Sequence, residues 1–367
     1  MVNQPHYYEQ NSEFFLLASY SCLPTVIARL VELQTMNTNA VLFCYSNQLY
    51  QFLSPLMKIY EWIKVINIDV TELNKISPYR PWKIFRGRKL LQSIYLQWFS
   101  EIPKGCRVNF YNRYYALSTF FMIWLIKRHC EIHFTDCDFI ENIEFKKNNT
   151  LYSIFKTAFL SMLYPMPFEI VSGHDGVKPF PALNKSFYDK TVKFISPMVN
   201  DLSDFKQTEL FQKLSYKSDK QVLWLMSPVL DINLVPSEEY KQAFKTCVDV
   251  VNSIYPSWEQ AVKYHPRTIK KEISWDSTVE CIPNEIPVEF LDMPKLEIVI
   301  AFSTSSLWSF PSKTILIGLV DLLPFISLEA HKARRKYFLS YKSSARKYIP
   351  TALKELQQIL TDKNLQD

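Results

Sequence analysis

Glycine is scarce in this chain: 5 residues in 367, where about 7% is average. Neither a GxGxxG run nor a GxxxxGK run occurs, which argues against a glycine-rich phosphate loop of either kind. Cysteine gives no frame. The seven residues Cys22, Cys44, Cys106, Cys130, Cys137, Cys247 and Cys281 are odd in number and form no CxxC pair. They read as reduced cytosolic thiols, not as disulfides or a zinc site. The longest apolar run, 114–126, is too short to span a bilayer, and the polar N-terminus predicts no signal peptide. Basic charge is not spread over the chain. Seven basic and no acidic residues fall between Lys332 and Lys347, more than the whole net charge of +6. A body otherwise near neutrality is a poor tracker of phosphate backbones, so nucleic acid is not an expected partner.

What is present is apolar and aromatic. Hydrophobic residues make up 48% of the chain and aromatic ones 15%, a globular composition. The length fits two domains of roughly 150 to 200 residues each. Short apolar runs at Phe14–Ala18, Ala40–Cys44, Trp62–Ile68, Arg107–Phe110 and Glu131–Thr135 alternate with amphipathic stretches such as Val26–Leu33. That predicts strands separated by helices, hence a parallel sheet. After a polar stretch around 200–220 the pattern restarts, with strands at Gln221–Met226, Gln260–Tyr264, Leu296–Ile300 and Thr314–Ile317 and a helix over Glu238–Ile254. The expected division is residues 1–205, 206–330 and a basic helical segment 331–367, with Leu353, Leu356 and Leu360 on one helical face. The fold class expected is α/β: two Rossmann-like domains facing across a cleft, with ligands beyond the carboxyl ends of the strands.

Chemistry concentrates at those strand ends. In Lys263-Tyr-His-Pro-Arg267, Pro266 cannot continue a ladder, so His265 stands at the sheet edge. It reads as a backbone-capped strand-end histidine or as a group that handles a proton or an anion. In Ala301-Phe-Ser-Thr-Ser-Ser-Leu307, the hydroxyls and N–H groups of Ser303, Thr304, Ser305 and Ser306 exceed what a helix cap requires and suit a phosphate. Thr135-Asp-Cys-Asp138 offers Asp136 and Asp138, as a general base or as a turn. Asp175 in Ser172-Gly-His-Asp-Gly176 competes for that role but reads more readily as a turn. The basic-aromatic run Pro78–Lys89 reads as a solvated loop, or as a surface for acceptor or lipid.

Taken in order, the acidic strand end, KYHPR, IPVEF (286–290) and AFSTSSLW resemble the bacterial GT-B sialyltransferases and polysialyltransferases, especially the lipooligosaccharide sialyltransferase group. The resemblance is strongest over 264–307. It implies an inverting transferase that takes a CMP-activated nonulosonic acid, normally sialic acid, to a glycan acceptor such as lipooligosaccharide or capsule. His265 matches the His-Pro histidine, implied to contact the leaving phosphate. Ser305 and Ser306 match the serine pair holding that phosphate, and Glu289 matches the acidic residue implied to contact the nucleoside. Thr304, Pro266 and Ser227 complete the donor-binding set. The group's base lies in two carboxylates followed by glycine. Asp136 has the placement, while Cys137 and Asp138 depart from the pattern and Asp175 keeps the glycine but comes late. No cofactor or metal is expected, because a CMP leaving group carries one phosphate. Two other readings stand beside this one: a metal-dependent transferase using Asp136 and Asp138 as a DxD pair, and a catalytically silent glycan- or nucleotide-binding subunit. The expected location is the bacterial cytoplasm, with peripheral contact to an anionic inner-membrane face through the Lys332–Lys347 cluster, or with that cluster as a solvated helix face.

Overall fold

A computed structural model of the chain describes residues 8–76, 81–111, 116–135, 150–166, 168–172, 179–183, 193–195, 206–265, 268–269, 273–302, 307, 309–340 and 343–362. These divide into two compact units, the change falling between Leu214 and Ser215. Each unit holds one six-stranded sheet in which every pairing is parallel.

In the first unit, β1 (Ser12–Leu17) leads to helix α1 (Leu23–Thr35) and β2 (Asn39–Cys44). Two short helices, α2 (Asn47–Leu53) and α3 (Leu56–Ile59), lead to β3 (Ile63–Asn67). After α4 (Thr71–Asn74), helix α5 (Ile84–Trp98) precedes β4 (Arg107–Phe110), and α6 (Ala116–Lys127) precedes β5 (Glu131–Thr135). Helix α7 (Leu151–Leu163), the antiparallel pair β6 (Phe168–Ser172) and β7 (Pro179–Leu183), strand β8 (Lys193–Ile195) and α8 (Glu209–Leu214) complete it. The sheet order is β3-β2-β1-β4-β5-β8. Phe14, Leu16, Val41 and Phe43 meet Leu91, Phe99, Phe121 and Leu125 in one apolar cluster. Burial on both faces is why β1 and β2 read as continuous apolar runs and not as alternating ones.

The second unit runs β9 (Tyr216–Lys217), β10 (Val222–Met226), α9 (Ser237–Asn252), β11 (Gln260–Tyr264), β12 (Glu280–Ile282), β13 (Leu291–Asp292), β14 (Ile298–Ala301) and β15 (Ile315–Gly318). It then continues through α10 (Leu328–Ser340), β16 (Arg346–Tyr348) and α11 (Leu353–Thr361). Its sheet order is β12-β11-β10-β14-β15-β16. Val222, Trp224 and Met226 pack with Tyr240, Phe244 and Val251 of α9 on one face. Leu223 and Leu225 pack with Leu307, Phe310 and Phe338 on the other. Trp224 is fully buried, and its indole N–H donates to Gln260 Oε1 (2.8 Å); Gln260 Nε2 in turn donates to Asn252 Oδ1 (2.8 Å) and the Tyr255 carbonyl (2.6 Å). The network leaves no polar atom of Gln260 unmade in the core.

The fold class is therefore the expected one, two Rossmann-like α/β units. Several bounds move by one to three residues: β1 begins at Ser12 rather than Phe14, β10 at Val222, β14 at Ile298 and β15 at Ile315. The polar stretch near 200–220 contains α8 and β9, and 331–367 contributes a strand, β16, to the second sheet. On α11 the buried face is Leu356, Ile359 and Leu360, with Leu353 at its exposed rim. The run Pro78–Lys89 is helical from Pro81 on, as a 3-10 turn followed by α5.

Two glycines explain their own retention. Gly105 has φ +78° in the turn before β4, a region that L side chains avoid. At Gly318 an added Cβ would stand 2.9 Å from the ring of Phe338, itself fully buried in α10. Gly318→Ala is expected to lower the unfolding free energy by about 1–3 kcal/mol through overpacking. Urea denaturation of the full chain measures it.

Candidate functional site

The strand order of the second sheet reverses at β10. The connection leaving β10 crosses one face, where Tyr240 and Phe244 of α9 lie in the same cluster as Trp224. The connection leaving β14 crosses the opposite face, where Leu307 and Phe310 pack. β10 and β14 are nevertheless neighbours, with Leu225 opposite Ala301. Chains departing to opposite faces from adjacent strand ends leave a crevice at the carboxyl edge, the position where open α/β sheets bind ligands.

Two of the expected positions, Ser227 and His265, lie along that edge. β11 is in register with β10, Tyr264 opposite Met226, so Ser227 and His265 are the next residues on neighbouring strands. The His265 N–H donates to the Met226 carbonyl (3.0 Å), extending the ladder by one rung, and the His265 carbonyl accepts from the Thr268 N–H (2.9 Å). His265 is half-buried and Ser227 is buried. On the other side of β10, β14 ends at Ala301, and Phe302 packs against Tyr240 and Phe325. Ser303, Thr304, Ser305 and Ser306 follow it but lie outside the described residues, as does Pro266. Strand neighbours stand about 4.8 Å apart, so the ends of β11 and β14 flank that of β10 at about 10 Å from each other.

The loop after β10 is tied to the segment after His265. Asp231 Oδ2 accepts from the Ile269 N–H (2.9 Å), and the Val229 N–H donates to the Ser227 carbonyl (2.8 Å). Tyr264 Oη accepts from the Trp275 indole N–H (2.8 Å), fixing the return of the chain toward β12.

Glu289 is elsewhere in the same unit. It sits in a 3-10 turn, Val288–Phe290, 4% exposed. It acts electrostatically on Lys263, a residue to which the sequence reading gave no role. Lys263 is also 4% exposed, and its ammonium donates to the carbonyls of Asn284 (3.0 Å) and Tyr264 (3.2 Å). Desolvation pushes this amine down to about 8, against the opposing pull of Glu289 and Glu285. The sequence signal was a lysine inside the otherwise apolar end of the strand QAVKY.

Asp136 and Asp138 follow β5 and lie outside the described residues, as does Asp175 between β6 and β7. In the first unit the corresponding reversal lies between β1 and β4, which are neighbours. The segment after β1, unassigned from sequence, forms a 3-10 turn in which Ser19 Oγ accepts from the Ser21 N–H (3.1 Å) and contacts Ser21 Oγ (2.7 Å). The C-terminal basic cluster is partly consumed by its own unit. Asp321 accepts from Arg335 Nε (2.9 Å) and bonds His331 Nε2 (2.7 Å), and the guanidinium of buried Arg334 lies over Tyr337 (5.8 Å).

No family model matches the chain, and no curated protein does. Among solved structures it is similar to the calicheamicin glycosyltransferase CalG4 (11% identity, 98% of this chain and 92% of that one, TM-score 0.44). It is also similar to UDP-GlcNAc 2-epimerase from Neisseria meningitidis bound to UDP-GlcNAc (12%, 97% and 93%, 0.44). A third is the E. coli heptosyltransferase WaaC with ADP (11%, 95% and 98%, 0.40).

The Lys263 amine carries a pH signature of its own. Burial holds its folded pKa below the ordinary lysine value of about 10.5. Between about pH 8 and pH 10.5 the unfolded chain binds the extra proton, so stability from this group rises with pH across that window. The difference in unfolding free energy between wild type and Lys263→Met is expected to move in favour of wild type by up to about 3 kcal/mol from the lower to the upper end. Urea titrations of both proteins at matched pH measure it, the tyrosine and cysteine titrations cancelling in the difference.

Proposed function

We propose that this protein is an inverting, metal-independent glycosyltransferase that moves sialic acid, or a related nonulosonic acid, from a CMP-activated donor onto a cell-surface glycan such as lipooligosaccharide or capsule. The observation that carries the reading is the register of β11, β10 and β14. It ends β10 and β11 level and β14 one residue short of them, with His265 on one side of the reversal and the 303–306 hydroxyl segment following the other. Side chains reaching inward from two strand ends about 10 Å apart can hold one phosphate between them.

The chemistry follows from the donor. Its anomeric carbon is tertiary and carries a carboxylate, so the bond to phosphate breaks early and charge grows on the departing oxygen. His265 donates to that phosphate, with Ser305, Ser306 and Thr304 holding it; such prearranged donors lower the barrier electrostatically. The electron pair of the broken C–O bond leaves with CMP. The acceptor hydroxyl forms the new C–O bond from the opposite face, and its proton passes to a carboxylate, Asp136 or, in its place, Asp138 or Asp175. One leaving phosphate needs no divalent ion for charge neutralisation. Lipid-borne acceptors put the work at the cytoplasmic face of the inner membrane.

Two measurements test this. In a thermal-shift screen CMP is expected to raise the unfolding midpoint while UMP and GMP do not; a hundredfold excess over Kd corresponds to about 2.7 kcal/mol. Equal shifts from all three nucleotides, or none, overturn the CMP assignment. His265→Ala is expected to cost at least about a hundredfold in turnover with the unfolding midpoint near wild type, since the side chain is half-buried at a strand end. Full transfer by that variant removes His265 from the mechanism.

A further inference from the structure

Helix α7 is apolar on two sides. Phe159 and Leu163 are buried in the first unit's core, while Leu151, Ile154, Phe155, Ala158 and Met162 are exposed, Leu151 at 87%. Their spacing of three and four residues places all five within one outward stripe, about 16 Å long at 1.5 Å per residue. A helix on the surface of a water-soluble unit ordinarily carries charge on such a face; α7 has one charged residue, Lys156, and no acid.

The stripe does not stand alone. Helix α5 packs on α7 at Gly87, where an added Cβ would run into the Leu163 side chain, and Arg88 Nε donates to the Met162 carbonyl (2.7 Å). At the start of α5, Trp82 and Phe85 are 71% and 74% exposed. The chain from 73 to 100 holds six basic residues and no acidic one. Of these, Lys75 and Arg86 pair with Glu72, while Arg88 and Lys89 are exposed and Lys83 half-exposed. Large apolar side chains, a tryptophan and cations of one sign on joined helices match an anionic bilayer surface. There the apolar stripe enters the acyl boundary and the cations meet lipid headgroups. Among the described residues no helix is long and apolar enough to cross a membrane, so the contact is one of lying on the surface.

We infer that the α5–α7 face of the first unit docks the protein on an anionic lipid bilayer. The inference goes beyond the transferase reading and needs no turnover to test, so either can fail without the other. The experiment is co-sedimentation of the full chain with sucrose-loaded vesicles of phosphatidylcholine alone or mixed with phosphatidylglycerol. Binding is expected only with phosphatidylglycerol and is expected to weaken with salt. Ile154→Ser with Phe155→Ser is expected to lower the partition coefficient at least about tenfold, and Lys83→Gln with Lys89→Gln about tenfold or more, both with unchanged circular dichroism. Should the α7 variant misfold, Trp82→Ser with Phe85→Ser takes its place. Four results each overturn the inference. The wild type stays in the supernatant; the variants bind as wild type does; loss follows only Lys332→Gln with Lys336→Gln; or the wild type self-associates through this face, with Phe155→Ser dispersing the dimer and no vesicle binding.

Discussion

The parallel ladder joining β11, β10 and β14 is the constraint on which the rest of the second unit depends. A parallel strand has no register fixed by a tight turn, so its alignment comes from what it buries. Here β10 buries every residue from Val222 to Met226, with different partners on its two faces. A slip of one residue would exchange Trp224 and Leu225 between them, and Trp224 would lose Gln260. The Gln260 amide also bonds Asn252 at the end of α9 and the Tyr255 carbonyl, so the same polar network fixes the strand and the helix that leads into it. The near-level ending of the strands is a consequence of that burial.

Beside the strand ends the unit keeps a buried ammonium and a buried carboxylate. Neither Lys263 nor Glu289 has much water around it, and charge in that setting is costly unless it is compensated. Compensation comes from two backbone carbonyls and from the field of Glu289 and Glu285. The arrangement ties β11, two residues before His265, to the loop after β12 through Asn284. Lys263 is therefore a positioning residue for the loop that carries Glu289. The local sequence could not assign it that role, because Asn284, Glu285 and Glu289 come twenty or more residues further on.

Legibility from sequence tracked burial. Strands buried along most of their length, such as Arg107–Phe110, Glu131–Thr135 and Gln260–Tyr264, have the bounds expected of them even though each carries polar residues. The strands that were missed are short or charged: Arg346-Lys-Tyr348 pairs at the sheet edge beside β15, where one side of the ladder has no neighbouring strand, and Glu280-Cys-Ile282 occupies the opposite edge. Edge pairing draws on backbone hydrogen bonds more than on side-chain pattern, so composition says little about it. The strand-end position of His265 was legible because proline cannot continue a ladder. The 3-10 turn at Ser19–Cys22 was not, since Ser-Tyr-Ser carries no signal beyond that of a generic turn.

The same contrast governs surface charge. The Lys332–Lys347 run is the densest cluster of cations in the sequence, and density suggested an electrostatic surface. Folding changes its character in part: Arg335 is held by Asp321 and Arg334 is buried over Tyr337, while Lys332, Lys336 and Arg346 stay exposed. Residues 73–100 hold fewer cations in a longer stretch, yet Lys83, Arg88 and Lys89 remain outward beside exposed aromatic and aliphatic side chains. For attachment to a charged apolar boundary the second condition matters more. Electrostatic attraction decays within a Debye length of about 10 Å at moderate salt, whereas apolar area removed from water contributes at any ionic strength. A helix pair that offers both in one place is better suited to that boundary than a run of cations with less exposed apolar surface beside it.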